Sequence, residues 1–524
     1  MVDLVLDQLD RFGLIQDSKP FKLPPEAWTE LNNVRFEDGG LRKLKGHTEV
    51  FPSAPVAPGF LLPVRTPAEQ FWLYTSLLKA YVWNGSVHTD LTRTSGGDYG
   101  ASHSSEWQGL VFGGIALLNN GADAPQFWAT PSVGTKLADL TNWPASTTCK
   151  RIAALKRHLV AIDVTESGTR HPHRVRWSQP ADPGSVPTTW DYTDPANDSG
   201  VTELDDVNSG VLIDAVNLRD RLFLYKSNSI YSMRYIGGQF VFAFERYLET
   251  AGLLAPGCAT SYGVGFRHFV VTEDDIIIHA GQGEPQSILD TRMRRTLFNN
   301  INPTQFSKSY AFHNLPAQEV WFCYPSAQST EVDSALVWDY QGGGVGKLFS
   351  TQVDYNHLAL GIIESADAGT WDADTEAWDD DETLWANASR LAPVAAVQAD
   401  TKFYQIDKGE TRDGDTFVAT AQRTDLAIIG RQRDGQWRTD FTQRKLVTRI
   451  WLDAEGEFKV RLGSQEMVEG SVTWLDYQDF VGGVDKYLDF EAEGAAIAIE
   501  FTSNQDKTWK VNSYTLDLVE SGEF

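Results

Sequence analysis

A strand-turn-strand phrase recurs along this chain in varied letters but constant grammar, and it limits the fold more than any single motif. It reads FWLYTSLLKAYVWNG from Phe71, GLVFGGIALLNNG from Gly109, HLVAIDVTESGTRHPHRVRW from His158 and RLFLYKSNSIYSMRYIGG from Arg221. It returns as HFVVTEDDIIIHAG from His268, EVWFCYPSAQSTEVDSALVWDYQGG from Glu319 and, more weakly, VAAVQADTKFYQIDKG from Val394. Each copy is a β-branched or aromatic run, a polar turn and a second such run closed mostly by Gly or Asn-Gly, which is the signature of an antiparallel hairpin. Successive starts lie 38, 49, 63, 47, 51 and 75 residues apart. These intervals bracket the period of about 40–50 residues of propeller blades, with the longer gaps read as loops. One hairpin cannot bury its apolar face alone, whereas six or seven arranged radially can. The chain therefore reads as all-β, a β-propeller of six or seven blades.

The remainder adds a second domain and little helix. SILDTRMRRTLFNNIN, from Ser287 to Asn302, predicts one short helix capped by Ser287 or Asp290, with Arg292, Arg294 and Arg295 on its polar face. From about Lys445 the strands lengthen and alternate cleanly, in KLVTRIWLDAEGEFKVRLGSQ, KYLDFEAEGAAIAIEFTSN and WKVNSYTLDLVESGEF. That pattern predicts a separate C-terminal β-sandwich or jelly roll. The expected divisions are an N-terminal arm with the first strands over 1–50, a propeller over 51–435 and a sandwich over 436–524. The boundary is expected in the polar stretch from Arg431 to Lys445.

Composition excludes several classes. A chain of 524 residues with 17 Trp, 17 Tyr and 27 Phe can bury large cores and does not read as disordered. Its 3 Cys, without a CxxC pair, suit neither a disulfide framework nor a cysteine-rich metal site. Cys149, Cys258 and Cys323 are expected to be small core residues, which fits assembly in a reducing cytosol. The opening MVDLVLDQLD has three acids and no basic or continuous apolar run, and no long apolar run follows elsewhere. No ordinary signal peptide and no membrane span are expected. The net charge of -26 argues against nonspecific adhesion to DNA phosphates.

Chemical motifs are sparse. In GTWDADTEAWDDDETLWANAS, Trp371, Trp378 and Trp385 recur every seven residues, and Asp372, Asp374 and Glu376 have the spacing of a calcium loop's first ligands. Ala377 stands where that loop needs Gly, and Thr383 where it needs a bidentate Glu, with Glu382 one residue early. The tract reads as surface turns with tucked indoles and solvated carboxylates. SADAGTW, Ser365 to Trp371, resembles a sialidase-type turn box but is one residue short, and a glycosidase needs two carboxylates facing one cleft. His171 and His173 form an HxH pair without a third ligand at useful spacing, and read as exposed imidazoles in a turn. No nucleophile elbow, zincin, P-loop or dinucleotide motif is present. Neither a cofactor nor a metal is expected.

Four segments, matching in order, carry a family resemblance. GLIQDSKPFKLPPEAWTELNNVRFEDGGLRKLKGH from Gly13 resembles the opening of tail hub or nozzle proteins of short-tailed bacteriophages, also called tail tubular or packaged-DNA stabilization proteins. RVRWSQPADPGSVPTTWDY with SGVLIDAVNLRDRLFLYKSNSIYSMRYIGG is similar to their middle. ETAGLLAPGCATSYGVGFRHFVVTEDDIIIHAG extends the match, and LVTRIWLDAEG through WKVNSYTLDL resembles their C-terminal sandwich. The resemblance implies a non-enzymatic virion protein, assembled in the host cytoplasm as a homohexameric tube below the portal and adaptor. It further implies contact with tail fibre or tail tip proteins and a bore through which viral DNA passes without sequence-specific binding. Repulsive acids would suit such a bore; the candidates are Asp205, Asp206, Glu273, Asp274, Asp275, Asp379, Asp380, Asp381 and Glu382. The rival expectations are a carbohydrate-active propeller enzyme and a glycan-binding adhesin.

Overall fold

The structure is a computed structural model, and it describes all residues except 1, 67–68, 133, 206–209, 239, 264, 342–345, 365–388, 398–399, 432–436 and 524. Seven four-stranded units surround one axis. Six are separate sheets, and the seventh, from Tyr310–Asn314 to Leu348–Gln352, is the beginning of a 15-stranded sheet. The innermost strands are Phe60–Arg65, Gln108–Phe112, Thr147–Leu155, Leu212–Leu218, Ala259–Tyr262, Tyr310–Asn314 and Tyr355–Glu364. Each touches the next, and the last closes on the first. We number the blades one to seven in that order.

All seven phrases are hairpins of successive blades. Six cover the second and third strands of their blade, while the Gly109 copy covers the first and second, which explains part of the uneven spacing. The second strands are mostly apolar and buried on both faces rather than alternating: Glu319–Tyr324 is buried at every position, and Arg221–Lys226 at all but the first. Neighbouring blades cover both faces of these strands, so both faces must be apolar. Cys149, Cys258 and Cys323 are buried free thiols of this core.

Blade seven is completed from the other end of the chain. Its fourth strand is His47–Phe51, paired antiparallel with Phe403–Ile406. Phe51 then packs 5.6 Å from Trp72, 5.8 Å from Trp83 and 5.5 Å from Phe403, joining blades seven and one. The expected N-terminal arm over 1–50 is thus divided, because an unpaired edge at the ring closure is satisfied only by this strand.

The rest of that arm belongs to the second module. Val2–Leu6 and Gly40–Lys43 pair with Trp509–Glu523, and Glu30–Asn32 pairs with Ala419–Leu426. The boundary expected at Arg431 to Lys445 lies too late, since Ala419–Leu426 already pairs with Ala496–Ser503 in this module. Its spine is the long strand Gln443–Gln465. The first part pairs with Trp509–Glu523 and the last with Ala496–Ser503, so one strand serves both layers. It crosses between them at Gly456, whose φ is +81 and where a Cβ would lie 2.2 Å from the Thr508 carbonyl. Trp28, Phe458, Phe501, Trp509 and Tyr514 fill the space between layers. The module continues blade six outward, through the contact of Asn32 with Ser350.

Among the described residues the one α-helix is Arg294–Asn300, shorter than expected, and neither Ser287 nor Asp290 caps it. Asp17 does so, accepting from the Arg295 and Thr296 N–H groups at 2.6 and 2.9 Å across the module junction. Among the described residues no helix is long and apolar enough to cross a membrane.

Candidate ligand site on the propeller axis

Because strands alternate in direction, the start of every first strand and the turn between every second and third strand lie on the same face. An axial cavity of about 430 Å³ is walled by the inner strands. A second cavity of about 380 Å³ opens beside it. The turn Ser104–Glu106, which precedes blade two, separates them, and Ser105, Arg151 and Lys308 line both.

Arg151 lies on the inner strand of blade three and is 7% exposed. Its guanidinium donates to the carbonyls of Glu106 and Ser105, each at 3.4 Å. Burial lowers its pKa against the opposing pull of Asp214 and Glu106. Asp214, at the matching position of blade four, is held by the Gly257 and Ala215 N–H groups at 2.7 and 2.8 Å. Glu106 accepts from the Ser102 N–H and hydroxyl, both at 2.8 Å. Lys308 donates to the Thr330 carbonyl at 2.7 Å and to Glu331, which His103 also approaches at 3.3 Å. His357, on the inner strand of blade seven, is kept neutral by burial, which pushes its pKa down to about 4.

The carboxylates here already accept hydrogen bonds, so the spare capacity lies with the donors. This arrangement can bind and orient a polar group. Arg151 and Asp214 escape notice in the sequence because CKRIAAL and VLIDAVNL read as ordinary strands. The available signal is positional: each charge stands seven residues before its blade's phrase, at His158 and Arg221, inside an apolar first strand.

The acids named from the sequence are not gathered into one site. Asp205 is exposed, with its carboxylate 3.9 Å from His173 Nε2. Glu273 and Asp274 are exposed in the turn of the blade-five hairpin, where Asp274 pairs with Arg294. Asp275 is buried instead: its carboxylate accepts from the Ile276 N–H at 2.8 Å and the Ser287 hydroxyl at 2.9 Å, securing the turn. Asp206, Asp379, Asp380, Asp381 and Glu382 lie outside the described residues, as do SADAGTW and the Trp371–Trp385 tract. His171 and His173 sit half-buried on the strand Thr169–Trp177, not in an exposed turn. Among the described residues no cluster of three or more His, Cys, Asp or Glu has a metal-binding arrangement.

No protein-family model and no curated protein matches the chain. Among solved structures, PorZ of Porphyromonas gingivalis superposes with a TM-score of 0.33 at 11% identity, covering 85% of this chain and 46% of its own. The chain therefore spans less than half the length of that protein. The Myceliophteria thermophila Cps50 (Swd1) β-propeller domain gives 0.35 at 9% identity, covering 60% of this chain and 98% of that one. The N-terminal domain of Nup159 gives 0.35 at 10%, covering 72% and 99%. Likenesses at this level transfer no activity or partner to this chain.

Proposed function

We propose that this chain is a structural subunit of the tail of a short-tailed bacteriophage, six copies of which form the nozzle below the portal and adaptor. The observation that carries this reading is that the first and last of the four resembling segments, from opposite ends of the chain, meet as paired strands of one module, Leu41 with Val511 and Arg42 with Lys510. A family likeness spread over both ends then corresponds to one physical unit attached to a propeller.

Two further features suit a conduit under pressure. Ring closure by His47–Phe51 removes a free end from the propeller, and closed sheets resist being opened from an edge. Asp205, Glu273 and Asp274 share one propeller face by strand direction, so the same loops of six copies can present repeated negative charge to passing DNA. Tail fibre or tip proteins would bind elsewhere on the same subunit.

Mass measurement of the assembled tail complex tests the assignment. A copy number of six is expected, and one that is not a multiple of six overturns it.

A further inference from the structure

We propose that the axial cavity is a binding site for a small anionic molecule, one carrying a carboxylate or phosphate, held by the Arg151 guanidinium. Several independent features converge on this wall. A guanidinium has five N–H donors, and the acceptors of Arg151 are two carbonyls at 3.4 Å, the long limit of a useful hydrogen bond. No carboxylate among the described residues pairs with it, although burying a cation without a counter-charge is costly. Asp214, on the adjacent inner strand, is turned to the backbone of Gly257 and Ala215.

Ser309 supplies the second feature. It lines the same cavity, is 1% exposed, and its hydroxyl is buried without a hydrogen-bond partner. A donor of this kind in the same cavity as an under-used guanidinium matches the oxygens of an oxyanion. Lys308 in the same lining, whose charge Glu331 shares, and Lys150 in the lining of the neighbouring cavity are further cations. This happens in a chain of net charge -26, so the cationic lining runs against the general composition. The volume of about 430 Å³ lies within the range of small-molecule pockets, about 300–1,000 Å³.

The test is calorimetric titration of the full chain with inorganic phosphate, glucuronate and glucose at constant ionic strength, repeated on Arg151→Met, Arg151→Lys and Ser309→Ala. Saturable binding of phosphate or of glucuronate is expected, and which of the two binds identifies the anion class. Glucose should give none. Arg151→Met should weaken anion binding by at least ~10-fold, since a hydrogen bond to a charged partner is lost. Ser309→Ala should weaken it several-fold. Should Arg151→Met fail to fold, Arg151→Lys carries the test, because a lysine keeps the charge and loses the planar fork, and binding should fall several-fold. Absence of saturable anion binding by the unaltered chain overturns the proposal. So does unchanged affinity in a folded Arg151 variant.

Discussion

Arg35 and Glu319 form a two-point contact across 284 residues of sequence, with Nε to Oε1 at 2.6 Å and Nη2 to Oε2 at 3.0 Å. Arg35 belongs to the terminal module and Glu319 to blade six, and the same guanidinium reaches Asp407 beside blade seven at 2.7 Å. Burial opposes the charge on Arg35, but Asp407 and Glu319 outweigh it and raise its pKa. Trp321 Nε1 donates to Glu319 at 2.9 Å and Asn314 to Asp407 at 2.7 Å, so both carboxylates are further supported.

Removing the cation should therefore leave two poorly solvated carboxylates. Arg35→Met is expected to destabilise the fold by about 3–5 kcal/mol, the usual cost of breaking a buried pair. Urea unfolding measures it, and a loss below about 1 kcal/mol would show the pair to be solvated. Joint replacement of Arg35, Glu319 and Asp407 by apolar residues should recover much of the loss.

Acid should destabilise the propeller through its buried histidines. His279 Nε2 donates to Tyr225 Oη at 3.0 Å, the tyrosine donates to His268 Nδ1 at 2.6 Å, and His268 Nε2 donates to the Asn217 carbonyl at 2.9 Å. Both rings are neutral in this relay, and burial lowers His268 to about 4 and His279 to about 3 from the ordinary 6.5. A depressed histidine pKa means that the unfolded chain binds the proton more readily. Stability should be full above pH 6.5 and fall as pH drops from there towards 4 and 3. Unfolding measured across this window should show that slope, and His268→Asn should flatten it.

Phe51 anchors the ring closure to blade one. Phe51→Ala removes the ring packed on Trp72, Trp83 and Phe403 and should cost about 3–5 kcal/mol. Deleting residues 1–51 should go further and abolish cooperative unfolding, since it removes strands from both modules.

Charge reversal tests the conduit. Asp205→Lys, Glu273→Lys and Asp274→Lys lie on exposed loops and should change stability by no more than about 0.5 kcal/mol. If these loops meet the genome, virions carrying all three should eject DNA more slowly, with strong salt dependence, because each lysine can hold a phosphate and release its counterion. A normal ejection rate would show that the loops face elsewhere.

Incubation of the pure protein with a panel of capsule and cell-wall polysaccharides should release no reducing ends. Asp214 in the lining of the axial cavity and Glu106 in that of its neighbour already accept backbone hydrogen bonds. Neither is placed as a free acid and base pair. Reproducible release abolished by a single Asp or Glu substitution would favour the enzyme reading.

The hairpins, the apolar second strands, the buried thiols and the sandwich strands were legible in the letters, because each is a local pattern of burial repeated over a few residues. Burial patterns do not name the surface that does the burying. Nothing in VDLVL announces that it pairs with Trp509–Glu523, or in HTEVF that it completes the last blade. Asp17 reads as a loop acid and caps a helix 278 residues away; Asp275 reads like Asp274 beside it and is buried. Arg151 and Asp214 face the axis only because seven inner strands converge there. The sequence by itself determined which segments become strands and which of their faces avoid water. The tertiary structure decided which distant segments satisfy those faces and edges, since backbone pairing is the same for every strand and only three-dimensional closure selects the partner.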